Sequence, residues 1–196
     1  MSSKLILIIV PGKDDRAFYK VFLKKTFESQ GLEIIDLDQT NYREEKNSVI
    51  ARAFQIGDRS PIKRSSVLKV IFNNEEKAVY LIIWPTERSV VDKTCEVLEY
   101  QSGLSSPSIN YLVVAEDAED RDFKERLDSL EDSLHSRRCM KIKKNERQGR
   151  HHRIYVLEKP ENVRLILLVQ GVEQGLDFIT KHAIEDYVLY PYQEII

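Results

Sequence analysis

The sequence predicts an α/β fold with a mostly parallel sheet flanked by helices. Two observations carry that expectation: apolar runs of strand length alternate with segments of helical apolar spacing, and turn residues separate them. A chain of 196 residues, 42% of them hydrophobic, suits a single domain over 1–196, with a hairpin insertion expected at 138–158.

The first strand is expected from Lys4 to Val10. From Leu5 onward it is apolar at every position, as in a central strand covered on both faces. Pro11-Gly12 ends it. Asp15 to Glu28 follows as a helix, with Ala17, Phe18, Val21, Phe22 and Leu23 at helical spacing. Gly31 closes that helix, and Glu33 to Leu37 reads as a second strand. Such a βαβ unit predicts a parallel pair joined by a right-handed crossover.

Residues 41–71 read less distinctly. Gly57-Asp58 and Ser60-Pro61 are turn signals, and Ser65 to Phe72 suits a helix or a strand. Asn73-Asn74 marks a turn before a buried strand from Ala78 to Trp84. Ser89 to Gln101 is expected as a helix burying Val91, Cys95 and Leu98. After a loop at 103–108 comes a short apolar strand, Tyr111 to Ala115. Arg121 to Ser136 is an amphipathic helix, because Phe123, Leu127, Leu130 and Leu134 share one face. Met140 to Lys144 and Arg153 to Leu157 read as a β-hairpin arm near 140–157, around a polar turn at 145–149. Val163 to Val169 is a last buried strand, and Gly175 to Leu189 a closing helix.

Composition excludes several classes. The two cysteines, Cys95 and Cys139, form no Cys-x-x-Cys, which argues against a zinc ribbon or a disulfide framework and suits a reducing cytoplasm. The apolar run at 5–10 is too short for a signal peptide or a membrane span. No Gly-x-Gly-x-x-Gly loop, P-loop or Gly-x-Ser-x-Gly elbow occurs. Charged residues make up 32% of the chain at a net charge of −2, a balance that suits the ion-paired surface of a thermophile. The balance hides two blocks. Residues 116–132 carry nine acids against three bases, and residues 137–153 carry eight bases against one acid.

Two carboxylate-bearing places stand out. One is the turn after the first strand, Pro11-Gly-Lys-Asp-Asp15, at a strand end where open α/β sheets bind ligands. The other is Glu116-Asp-Ala-Glu-Asp120 after the strand at 111, a cluster of the kind oxygen-loving divalent cations need. The same acids also suit a cap for the helix that follows. The sequence resembles the TOPRIM fold of topoisomerase, primase and OLD-type nuclease domains, including archaeal TOPRIM-like proteins. The first motif of that family is a strand ending in Glu-Gly, then two variable residues and Asp. Gly12 and Asp15 match it, and Pro11 stands at the Glu position. The second motif, Asp-x-Asp, corresponds to Asp117-x-Glu119, with Glu116-x-Ala118 as the other register. Ala183-Ile-Glu-Asp-Tyr187 resembles a late helical feature of the archaeal members, although a solvated helix face is the simpler explanation of it.

The resemblance implies a TOPRIM-like domain with a Mg²⁺ site of Asp117 and Glu119, assisted by Asp15 and Glu185. It implies a Mg²⁺-dependent enzyme acting on nucleic-acid phosphodiesters. Because Pro11 removes the family's general acid/base, a catalytically weakened relic is equally implied. The alternative is a non-catalytic nucleic-acid-binding or assembly module. DNA or RNA is the expected partner, met by Lys13 at a helix start and by Arg147, Arg150, His151 and Arg153 near a hairpin tip. The basic block also suits docking on the acidic helix of a second copy, giving a homodimer.

Overall fold

The computed structural model describes residues 4–38, 40–54, 64–72, 77–87, 89–118 and 122–171. The elements are β1 (Lys4–Val10), α1 (Lys13–Ser29), β2 (Glu33–Asp36), α2 (Arg43–Phe54), β3 (Ser66–Phe72) and β4 (Lys77–Pro85). They continue as α3 (Val90–Ser102), β5 (Tyr111–Asp117), α4 (Phe123–Ser136), β6 (Lys141–Gln148), β7 (His152–Lys159) and β8 (Arg164–Gln170). All eight strands lie in one sheet, in the order β2-β3-β4-β1-β5-β8-β7-β6.

The sheet is mixed, and this corrects the expectation of a mostly parallel TOPRIM-like one. Only β1–β4, β1–β5 and β5–β8 are parallel. The β2–β3, β3–β4, β6–β7 and β7–β8 pairs are antiparallel. Connection length is the physical reason for three of the four antiparallel pairs, all but β2–β3. A parallel crossover needs a dozen or more residues, and only residues 73–76, 149–151 and 160–163 separate β3 from β4, β6 from β7, and β7 from β8. The parallel pair expected of β1 and β2 does not form, because β3 and β4 lie between them. The hairpin expected as an arm near 140–157 is instead the margin of the sheet, since β7 pairs with β8 from His152 to Val156.

Alternation along β1 sorts the core into two layers. Leu5, Leu7 and Ile9 join the cluster formed with α2, α3 and α4, while Ile8 and Val10 join the one formed with α1. Leu127, Leu130 and Leu134 of α4 are all buried, as their spacing predicts. Ser89 caps α3 by accepting from the Val91 N–H at 3.1 Å.

The cysteines overturn their expectation as well. Cys95 of α3 and Cys139 beyond α4 are joined in a disulfide, with Cα atoms 5.0 Å apart. Chain separation hid the pairing, which arises because α3 packs beside α4. The argument for a reducing compartment loses its support. No helix among the described residues is long and apolar enough to cross a membrane.

Candidate functional site

The sheet places its switch point between β1 and β5. From β1 the chain passes through α1 to β2, β3 and β4 on one side, then crosses through α3 to β5 on the other. Diverging crossovers leave a crevice outside the carboxyl ends of such strands, where α/β sheets bind ligands. The ends of β1, β5 and β8 meet there, and one polar cluster is built from α1, which follows β1, and from the ends of β5 and β8.

Asp15 comes from the first turn of α1 and is 8% exposed. Its carboxyl group folds back over Gly12, where a Cβ would lie 3.2 Å from Asp15 Oδ2. Asp117 closes β5. Its neighbour Glu116 sits on the other face of the strand and pairs with Arg126 of α4 at 2.8 Å. Gln170 at the end of β8 joins the two aspartates. Its Nε2 donates to Asp15 Oδ1 at 3.0 Å and to Asp117 Oδ1 at 2.6 Å, and its Oε1 accepts from the Tyr19 hydroxyl at 2.5 Å. The main chains of β5 and β8 close beside it, with the Ala118 N–H donating to the Gln170 carbonyl at 3.0 Å.

Asp15 and Asp117 are thus brought together as their motifs imply. Gln170, which unites them, carries no charge and belongs to no motif, so sequence reasoning missed it. Glu119 and Glu185 lie outside the described residues, as does the closing helix expected at 175–189. Pro11 offers only its carbonyl, 3.4 Å from the Thr86 hydroxyl.

Among the described residues, Asp15 and Asp117 are the carboxylates at this place, and the amide nitrogen that faces them is not a Mg²⁺ ligand. That ion binds through one or two carboxylates and takes oxygen ligands. Here the position between Asp15 and Asp117 is filled by an amide nitrogen with both hydrogens committed. Among the described residues, no three His, Cys, Asp or Glu side chains gather as a metal group.

The basic residues divide into two sets. Arg153 does not project from a hairpin tip; its guanidinium reaches Asp128 and Glu131 of α4. Burial works against its charge, but the hydrogen bond to Asp128 and the charge of Glu131 outweigh burial and raise its pKa. The acidic and basic blocks therefore meet within one chain. His151 packs edge-on against Phe123 with ring centroids 4.2 Å apart. Burial, then the Arg150 and His152 charges, pull its pKa below the usual histidine value despite Asp122. Gly149 makes the turn tight, since a Cβ there would overlap the His152 ring.

The second set lies along β6, the edge strand, where every residue except Ile142 is exposed. Lys141 pairs with Glu158 at 2.8 Å. Glu146, the only acid of the strand, is taken by Arg164 at 3.0 Å. Lys143, Lys144 and Arg147 are exposed and have no carboxylate partner among the described residues. Arg150 sits in the turn beyond them, and Lys13 is exposed at the start of α1.

No protein-family profile matches this chain, and no curated protein matches it. Among solved structures it is similar to TnmS3, an antibiotic binding protein from Streptomyces sp. CB03234. The match has 12% identity over 86% of this chain and 95% of that one, at a TM-score of 0.23. It is likewise similar to the hypothetical protein SA1046 from S. aureus, with 12% identity over 86% of this chain and 94% of that one, also at 0.23. A likeness at that level carries neither fold nor function across.

Proposed function

We propose that this protein is a non-catalytic nucleic-acid-binding module whose contact surface is the β6 edge. The observation that carries the reading is the row Lys143, Lys144 and Arg147, exposed and without carboxylate partners among the described residues. Phosphates attract such cations whatever the base sequence. Strand β6 bears no aromatic residue on which bases could stack, so the contact is with backbone. Arg150 and Lys13 lie outside the row.

The rival reading, a Mg²⁺-dependent phosphodiester enzyme of TOPRIM type, draws support from the convergence of Asp15 and Asp117 at the switch point. It is opposed by the amide between them and by Pro11, which has no side-chain oxygen.

Fluorescence anisotropy with a labelled DNA duplex and a labelled RNA tests the proposal between about 50 and 200 mM salt. Affinity is expected to fall steeply with salt. The triple variant Lys143→Ala, Lys144→Ala, Arg147→Ala is expected to lower the log–log slope by about 2–3. Absence of binding at the lowest salt, or an unchanged slope in the variant, would contradict the reading. Mg²⁺-dependent cleavage of either probe would favour the rival.

A further inference from the structure

We infer that the Gln170 side chain is a built-in substitute for a bridging cation, clamping the ends of β1, β5 and β8 with an amide where a carboxylate pair elsewhere calls for a metal. Three observations converge on it. First, the amide is saturated: both Nε2 hydrogens go to carboxylate oxygens and Oε1 takes the Tyr19 hydroxyl. Second, three of its four members are buried, with Gln170 at 4%, Tyr19 at 7% and Asp15 at 8% exposure, while Asp117 is half-buried. Third, the partners come from three separate elements, α1, β5 and β8, so the clamp ties together strands far apart in the chain.

The amide's orientation follows from its surroundings. Carboxylates accept hydrogen bonds and a phenol can donate one, so nitrogen faces Asp15 and Asp117 and oxygen faces Tyr19. Turning the amide over would set its oxygen against two carboxylate oxygens with no proton between them. A divalent cation between the aspartates must break both Nε2 hydrogen bonds, either turning the amide so that its oxygen joins the carboxylates as a ligand or moving Gln170 aside. The clamp therefore competes with a cation for the space between Asp15 and Asp117.

The test is thermal unfolding of the full chain with EDTA, Mg²⁺, Mn²⁺ or Ca²⁺. Wild type is expected to show the same Tm in all four. Gln170→Glu replaces the amide that donates to both aspartates with a third carboxylate, so its Tm in EDTA is expected to fall by roughly 5–10 °C. Divalent cations are expected to restore much of that fall, because the variant site offers oxygens alone. Gln170→Met keeps the volume without polar atoms; it is expected to lose stability and gain nothing from cations. The inference is overturned if the wild-type Tm rises saturably with a cation and Asp117→Asn abolishes the rise. It is equally overturned if Gln170→Glu matches wild type in EDTA, or if its loss is not recovered by any of the three cations.

Discussion

The crevice at the ends of β1, β5 and β8 and the exposed edge at β6 are both crowded with polar side chains, yet they differ in who answers the charge. In the crevice, Asp15, Asp117, Gln170 and Tyr19 satisfy one another at 2.5–3.0 Å. Along β6, Lys143, Lys144 and Arg147 face water without a carboxylate among the described residues. A dense set of charges is therefore no guide to function until its internal pairing is subtracted. Asp15 and Asp117, which draw attention in the sequence, are hydrogen-bonded to Gln170, whereas Lys143, Lys144 and Arg147 have no carboxylate partner among the described residues.

Arg153 gives the sharpest way to break this comparison, because it belongs to the same basic block as Arg147 and behaves oppositely. Arg153→Ala removes a side chain only 11% exposed and leaves Glu131, 22% exposed, without its partner, while water reaches Asp128 at 49%. It is expected to cost about 2–3 kcal/mol in urea unfolding, from lost packing and the stranded Glu131 charge. A loss below about 0.5 kcal/mol would show the pair to be a surface pair of no consequence.

The next largest effect belongs to the crevice. Asp117→Ala strands one Gln170 N–H in a buried setting, and a destabilisation of about 2 kcal/mol is expected. A change near zero would mean that the clamp is not formed in solution.

The opposite margin of the sheet supplies a paired charge that acid can read. Burial alone pushes the Asp38 carboxyl up. Hydrogen bonds from Lys20, Lys46 and Ser66 overcome it and hold the pKa at about 2, against an ordinary 3.8. The folded pKa lies below the unfolded one, so the stabilisation is complete above about pH 4–5 and is lost as pH falls toward about 2. Lys20 and Lys46 lie 2.6 and 2.7 Å from its oxygens, at partly exposed positions where solvent screens the interaction. The expected contribution is about 1 kcal/mol. Asp38→Asn should flatten the pH dependence by that amount in urea titrations at pH 5 and pH 2.5, and an unaltered slope would remove Asp38 from the account.

The smallest stability effect is the most telling one for function. Arg147→Ala is expected to change stability by less than about 0.5 kcal/mol. The same substitution should lower the salt slope of nucleic-acid binding by about 1. Destabilisation comparable to that of Arg153→Ala would show that Arg147 is structural.

Much of this organisation is legible in the sequence, for a physical reason. Strands β1, β4, β5 and β8 are central and covered on both faces, so they read as continuous apolar runs. Helices α1, α3 and α4 read from their spacing, and α4 most clearly because Phe123, Leu127, Leu130 and Leu134 form one stripe. Helix α2 has a more broken pattern, and its buried residues Val49, Ile50, Ala53 and Phe54 fall only in its second half. Strand β3 was open to two readings because a short apolar run has no period of its own. Strand direction depends on which segments become neighbours, and the short connections that dictate antiparallel pairing carry that information only once strand limits are known.

At the candidate site, Asp15 and Asp117 were legible because carboxylates at strand ends are conspicuous. Gln170 was not, because a neutral residue closing an apolar strand gives no chemical signal until 155 residues of chain bring it to Asp15. Arg153 was misplaced for a related reason. A run of bases looks uniform in sequence, while the pleat of β7 turns alternate side chains toward opposite faces.

Gln170 occupies the space between Asp15 and Asp117 where a cation would otherwise bind. Calorimetric titration of Mn²⁺ and Mg²⁺ into wild type and into Asp117→Ala, with and without duplex DNA, tests it most directly. The prediction is no saturable heat in either protein under any of these conditions. Saturable binding to wild type that disappears in Asp117→Ala would establish a cation site at the crevice and contradict the claim.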